Sequence, residues 1–317
     1  MSAEGGKRAI VAALIANLGI AVTKFFAYLV SGSSSMLAES VHSLADSGNQ
    51  VLLLIGGRRA SRAATPQHPF GYGRERYVYA FVVSIVLFAI GGVFSIYEGI
   101  HKIQHPEAIT NPAVPVTVLL IAMGLESFSL RTAVRESNRA RGELSWVAFV
   151  RHAKAPELPV VLLEDVAALV GLLLALVGVV SAVITKNGVW DGVGTIAIGL
   201  LLVVIALVLG VETKSLLLGE GASPVDVESI RQALAGGVGI ESVIHMKTLY
   251  LGPEELMVAA KVGVSQRATS AQVIAAIDAA ERRVRDAVPV ARVIYLEPDF
   301  FDPSRDVGDG TPVADRR

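Results

Sequence analysis

The sequence predicts an α-helical membrane protein: six transmembrane helices followed by a small cytoplasmic α+β domain, αββαβ and ferredoxin-like. Three observations point there. Of 317 residues, 52% are hydrophobic and only 18% charged, against about a quarter charged in soluble domains, and the mean hydropathy is +0.55. Six stretches are apolar over about the 20 residues that a helix needs to cross the hydrocarbon core. After Gly219 the pattern changes to that of a soluble domain.

The six stretches are residues 8–30, 36–57, 77–100, 113–134, 158–184 and 191–213. The first follows two positive charges, but it runs on to about Val30 without a small-residue cleavage site, so it reads as a retained span. SGSSS (31–35) and TKNGVWD (185–191) are short turns. The other loops are basic. Arg58, Arg59, Arg62, Arg74 and Arg76 follow the second span; Arg135, Arg139, Arg141, Arg151 and Lys154 follow the fourth. Lysine and arginine mark the cytoplasmic side, so both termini are expected there. Short loops and no transit segment suggest the plasma membrane of a prokaryote.

In the last third, Ser223 and Pro224 open a helix as N-cap and first residue, and Gly236–Gly237 close it. SVIHMKTLYLG and ELMVAAKVGV read as strands around Gly252–Pro253. SAQVIAAIDAAERRVRDAV has helical periodicity, and ARVIYLEPD is a last strand. The domains are therefore 1–219 for the six-helix membrane part, 220–302 for the αββαβ domain, and 303–317 for a disordered tail.

Net charge is −1, so no global field argues for a nucleic-acid partner. The absence of cysteine excludes disulfides and thiolate metal sites. The informative feature is polar. AESVHSLADSGNQVLLLIG (38–56) carries Glu39, His42, Asp46, Asn49 and Gln50. At about 100° per residue these fall on one stripe roughly 100° wide. Ionisable groups inside a span mark a pathway or a site. Counted at 1.5 Å per residue from opposite membrane faces, Asp46 and the Asp165 of VVLLEDVAAL reach the midplane together. Asn17 of the first span reaches a similar level, and His42 lies one turn from Asp46.

Two carboxylates and an imidazole at one depth need a counter-charge. Lys24, the one mid-span cation, should lie nearer the outer end. A divalent cation fits better: neutral imidazole and carboxylate oxygens suit Zn²⁺, with Mn²⁺, Fe²⁺ and Co²⁺ as alternatives. His42 and Asp46 can share one ion from one helix, with Asp165 as a third ligand and water, Glu164 or Asn49 completing the shell. The competing reading is a hydrogen-bond network that pins helices together. Glu164 sits 100° from Asp165 and is a candidate either for the ion or for a loop arginine. Asn49 and Asn17 are candidates for orienting the ligands or for packing. Glu39 and Glu126 are candidates for gating, a proton path or interhelical hydrogen bonding.

SGSSSMLAESVHSLADSGNQVLLLIG, the HxxxD within it, HPFGYGRERYVYAF after it and LLEDxAA in the fifth span together resemble the cation diffusion facilitator family, in its divergent branch that includes a mitochondrial zinc transporter. The resemblance covers most of the chain. It implies a homodimeric divalent-metal/proton antiporter, not an enzyme, that exports metal from the cytoplasm with protons as counter-ion and His42, Asp46 and Asp165 as ligands. This sequence departs from the family at Val161, where a fourth ligand is usual. Thr65, His68 and Tyr72 replace the loop ligands, and His245 is the one histidine in the C-terminal domain. The tail domain is then expected to dimerise by packing. An intramembrane metalloenzyme is a rival reading, but no HExxH occurs and Glu164 is its one candidate base. A non-transporting scaffold is another.

Overall fold

A computed structural model describes residues 3–106, 109 and 111–300, with the side chains of 3–13, 15 and 16 excepted. The expected disordered tail lies outside those residues. The described chain forms two compact units. One is the chain up to Ala63 with Glu75–Ser215; the other is Ala64–Arg74 with the chain from Leu216 on.

The first unit is helical. α1 (Ala3–Ser31) ends at Gly32, whose φ of +67° turns the chain. Ser33 then caps α2 (Ser34–Ala60). α3 (Glu75–Gln104), α4 (Ala113–Arg141), α6 (Glu157–Thr185) and α7 (Val189–Leu218) are each long and apolar enough to span a membrane. These are the four that composition alone establishes among the described residues. α1 contributes the apolar piece Asn17–Ser31, and α2 is long enough but carries the polar stripe. A short helix, α5 (Trp146–His152), capped by Ser145, lies in the stretch expected to be only a basic loop. Arg76 at the start of α3 pairs with Glu157 at the start of α6.

Burial is inverted relative to a soluble bundle. On α2, Leu44, Val51 and Ile55 are exposed, while Glu39, His42, Asp46, Asn49 and Gln50 are buried. In lipid, apolar surface gains nothing by hiding, so close packing must hold the helices together. Small residues permit it. A Cβ on Gly99 of α3 would stand 2.8 Å from the Gly192 carbonyl oxygen of α7, and one on Gly199 would stand 2.8 Å from that of Gly92. These glycines recur two helical turns apart, so α3 and α7 meet backbone to backbone. Within α3, Leu87–Val93 widens into a π-helical stretch, a local irregularity common at working sites.

The start of α2 is fastened to α7. Ser33 Oγ donates to Asp191 Oδ1 at 2.9 Å; the Ser34 amide and hydroxyl donate to Asp191 Oδ2 at 2.7 and 3.1 Å. The carboxylate of one helix thus satisfies the orphan donors at the N-terminus of another, where negative charge is also favoured by the helix dipole. Lys102 of α3 donates to the Gly32 carbonyl at 3.0 Å.

The second unit holds α8 (Pro224–Ala235), β1 (Ser242–Gly252), β2 (Glu255–Val264), α9 (Ser270–Ala287) and β3 (Ala291–Phe300). The sheet order is β1-β2-β3, antiparallel between the first pair and parallel between the second. A parallel pair needs a crossover, which α9 supplies. Leu256, Val258, Ala260 and Val262 alternate onto one face and pack with Ile230 and Leu234 of α8 and Ala276, Ala280 and Val284 of α9. Thr269 and Gln272 form a reciprocal capping box at the start of α9. In the turn before α3, Thr65 and His68 exchange backbone hydrogen bonds of 3.2 and 3.0 Å, and Thr65 Oγ1 lies 3.2 Å from the Tyr72 hydroxyl. That turn packs with this unit: a Cβ on Gly73 would stand 2.8 Å from the Leu251 carbonyl oxygen.

Candidate metal centre

The 3.6-residue period of α2 turns Glu39, His42, Asp46, Asn49 and Gln50 inward, each at most 6% exposed. His42 Nε2 lies 3.5 Å from Asp46 Oδ2. Among the described residues neither imidazole nitrogen has a hydrogen-bond partner, and Asp46 Oδ1 and the side-chain carbonyl oxygens of Asn49 and Gln50 have none either. Buried polar atoms without partners are costly. A row of them along one helix face is a row of atoms able to ligate a cation.

α6 supplies Glu164 and Asp165, also buried, and their 100° separation sends them to different neighbours. Asn49 Nδ2 donates to Glu164 Oε1 at 2.7 Å. Glu164 therefore faces α2 and not a loop arginine. Ser129 Oγ of α4 donates to Asp165 Oδ2 at 3.0 Å. Glu126 is buried on α4 and Asn17 on α1. The geometry brings His42 and Asp46 together, and Asn49 with Glu164, while Asp165 is engaged by Ser129. Among the described residues no group of three histidine, aspartate or glutamate side chains is drawn tightly enough to enclose an ion.

Lys24 lies, as expected, one turn nearer the start of α2: its Nζ donates to Glu39 Oε2 at 2.9 Å and Ser43 Oγ at 2.8 Å. Against this one ammonium stand the carboxyl groups of Glu39, Asp46, Glu126, Glu164 and Asp165, all buried. Such an excess of acid in a spanning bundle suits a cationic ligand. Sequence reading missed Ser43, Ser129 and Asp191. Ser129 offered the one available signal, three residues after Glu126 on a helix face.

A family model described as the cation efflux transmembrane domain matches residues 10–218. The chain belongs to the cation efflux family. Members of this family are transporters. Among its relatives, the mitochondrial proton-coupled zinc antiporter SLC30A9 of Xenopus laevis is 31% identical over 265 residues, covering 83% of this chain and 47% of that protein. The human protein of the same name is 30% identical, covering 77% and 43%. Metal tolerance protein C4 of Arabidopsis thaliana is 27% identical, covering 79% and 55%. The chain thus spans about half the length of these relatives. They also correct the expected location. Relatives 30–31% identical over more than three quarters of this chain are eukaryotic proteins named as mitochondrial, which overturns the expected prokaryotic plasma membrane. Short loops and the lack of a transit segment had carried that expectation, and loop length does not distinguish one bilayer from another.

Proposed function

We propose that the chain exchanges a divalent metal cation, Zn²⁺ by preference, for protons by alternating access. The relatives named as zinc antiporters support the ion and the counter-ion. The observation that carries the reading is the His42–Asp46 pair, buried on α2 with no hydrogen-bond partner among the described residues on either imidazole nitrogen. His42, Asp46 and Asp165 are the ligands, and Glu164 stands in for the family ligand absent at Val161. Asn49 and Ser129 hold the two α6 carboxylates until the ion draws them in. Asn17, buried on α1, is the further candidate for orienting the ligands.

Binding requires a neutral imidazole and ionised carboxylates, so the ion and protons compete for the same atoms. Metal enters from the side of the basic loops. The bundle rocks and opens on the other side, where protons displace the ion; the protonated bundle then returns. His42 suits proton carriage because the imidazole nitrogen that binds the ion can take up a proton once the ion has left. Carboxylate and amide oxygens outnumber the single imidazole, which gives Mn²⁺ a second claim, with Fe²⁺ and Co²⁺ between them.

In the same proposal α1 and α2 complete six spans within residues 1–219. Residues 220–302 form the αββαβ domain, and two copies associate through its packing surfaces as a homodimer. The test is metal-driven proton flux in proteoliposomes. Asp46→Ala and Asp165→Ala should each abolish it, and wild-type flux in either variant removes that residue from the site.

A further inference from the structure

Lys24 belongs to no ligand set above, yet it is fully buried. An ammonium in that position needs acceptors, and it has Glu39 Oε2 and Ser43 Oγ at 2.9 and 2.8 Å. The other Glu39 oxygen, Oε1, is buried with no hydrogen-bond partner among the described residues. It lies over Gly171 of α6, where a Cβ would stand only 2.7 Å away. Glycine there leaves the oxygen its room. Oxygens from α2 thus hold a cationic group delivered by α1, one helical turn from His42 and Asp46.

We propose that Glu39 and Ser43 form a second cation station whose resident occupant is the Lys24 ammonium. A divalent cation leaving the His42–Asp46 site competes with that ammonium for the same oxygens. Two features support this. The oxygens are hard donors suited to a divalent ion. One Glu39 oxygen is still without a hydrogen-bond partner among the described residues. Because it is tethered, Lys24 can yield the station but cannot be carried away, and it reclaims the oxygens once the ion has left. The outward direction rests on the transport reading; the station itself does not.

A simple tie between α1 and α2 would use the same hydrogen bonds, so the test must read ion binding. Purified full-length protein in detergent is titrated with Mn²⁺ and the bound equivalents are counted. Lys24→Gln should bind one more equivalent per chain than wild type. Lys24→Arg should not, because it keeps the charge, and Lys24→Gln with Glu39→Gln should lose the extra equivalent. In proteoliposomes Lys24→Gln should turn over ~10-fold more slowly with no rise in KM, as expected when an ion lingers in a low-dielectric site. No extra equivalent in a folded Lys24→Gln, or one that survives Glu39→Gln, overturns the proposal. Lys24→Met, of similar length and without hydrogen-bonding demand, replaces Lys24→Gln if that variant does not fold. If neither folds, Mn²⁺ must speed modification of the wild-type Lys24 amine by a water-soluble reagent, and an unchanged rate overturns the proposal. Loss of the wild-type equivalent in Asp46→Ala reports on the inner site separately, so the two readings fail independently.

Discussion

Asp191→Asn removes a charge from the joint between α2 and α7 while keeping the side chain's shape. Asp191 Oδ2 accepts from the Ser34 amide at 2.7 Å and the Ser34 hydroxyl at 3.1 Å, and Oδ1 accepts from Ser33 at 2.9 Å. Asparagine can turn its oxygen to the Ser34 amide and hydroxyl and its amino group to Ser33 Oγ, which can accept, so what is lost is the charge on the acceptor. Three hydrogen bonds each fall from about 1.5–3 to about 0.5–1.5 kcal/mol, for a net cost of about 3 kcal/mol. For a chain of this size that corresponds to a fall of roughly 4–5 °C in the midpoint of thermal unfolding. Trp190 adjoins the joint and is one of two tryptophans, so intrinsic fluorescence of the protein in detergent follows the transition. Ser34→Ala, which loses only hydroxyl contacts, should cost about 1 kcal/mol. A midpoint for Asp191→Asn within about 1 °C of wild type would refute the claim that this carboxylate seats α2.

Glu164→Gln keeps an oxygen for Asn49 but loses the charge, so calorimetric Zn²⁺ affinity should fall about 10–100-fold; unchanged affinity would take Glu164 out of the ion's surroundings. Gly99→Val drives a side chain into the Gly192 carbonyl and Ile196 and should lower the thermal midpoint measurably through overpacking, at about 1–3 kcal/mol. Gly124→Val, at a position with no heavy atom within 4 Å, should leave the midpoint near wild type, and equal effects of the two would deny the close α3–α7 approach. Thr269→Ala breaks the capping box of α9 and should cost about 1 kcal/mol, seen as faster amide exchange at Gln272 without change elsewhere in the sheet.

The elements were largely legible because their signals are local. Ser223–Pro224 opens α8, and the Gly252–Pro253 turn separates β1 from β2, where the strand ends fall at Gly252 and Glu255. The α2 stripe followed from helical period alone, and all five of its polar residues are buried. α5 escaped because seven residues carry little periodicity, although Ser145 was present as a cap. Asp191 looked like a turn residue; its partners are Ser33 and Ser34, more than 150 residues earlier, and only the folded bundle joins them. Spacing also showed that Glu164 and Asp165 diverge by 100°. Which one faces α2 depends on how α6 is rotated in the bundle, and the Asn49 and Ser129 hydrogen bonds settle it: Glu164 faces α2 and Asp165 faces α4.

The transport reading rests on one ion being held by side chains of α2 and α6. The most direct measurement is cryo-electron microscopy of the full-length protein with and without saturating Zn²⁺. The account predicts a metal-dependent density within ~2.0–2.2 Å of a His42 nitrogen and of Asp46 and Asp165 oxygens, with Asp165 drawn off Ser129. Zinc density elsewhere in the bundle, with His42 and Asp46 unchanged on loading, would contradict it.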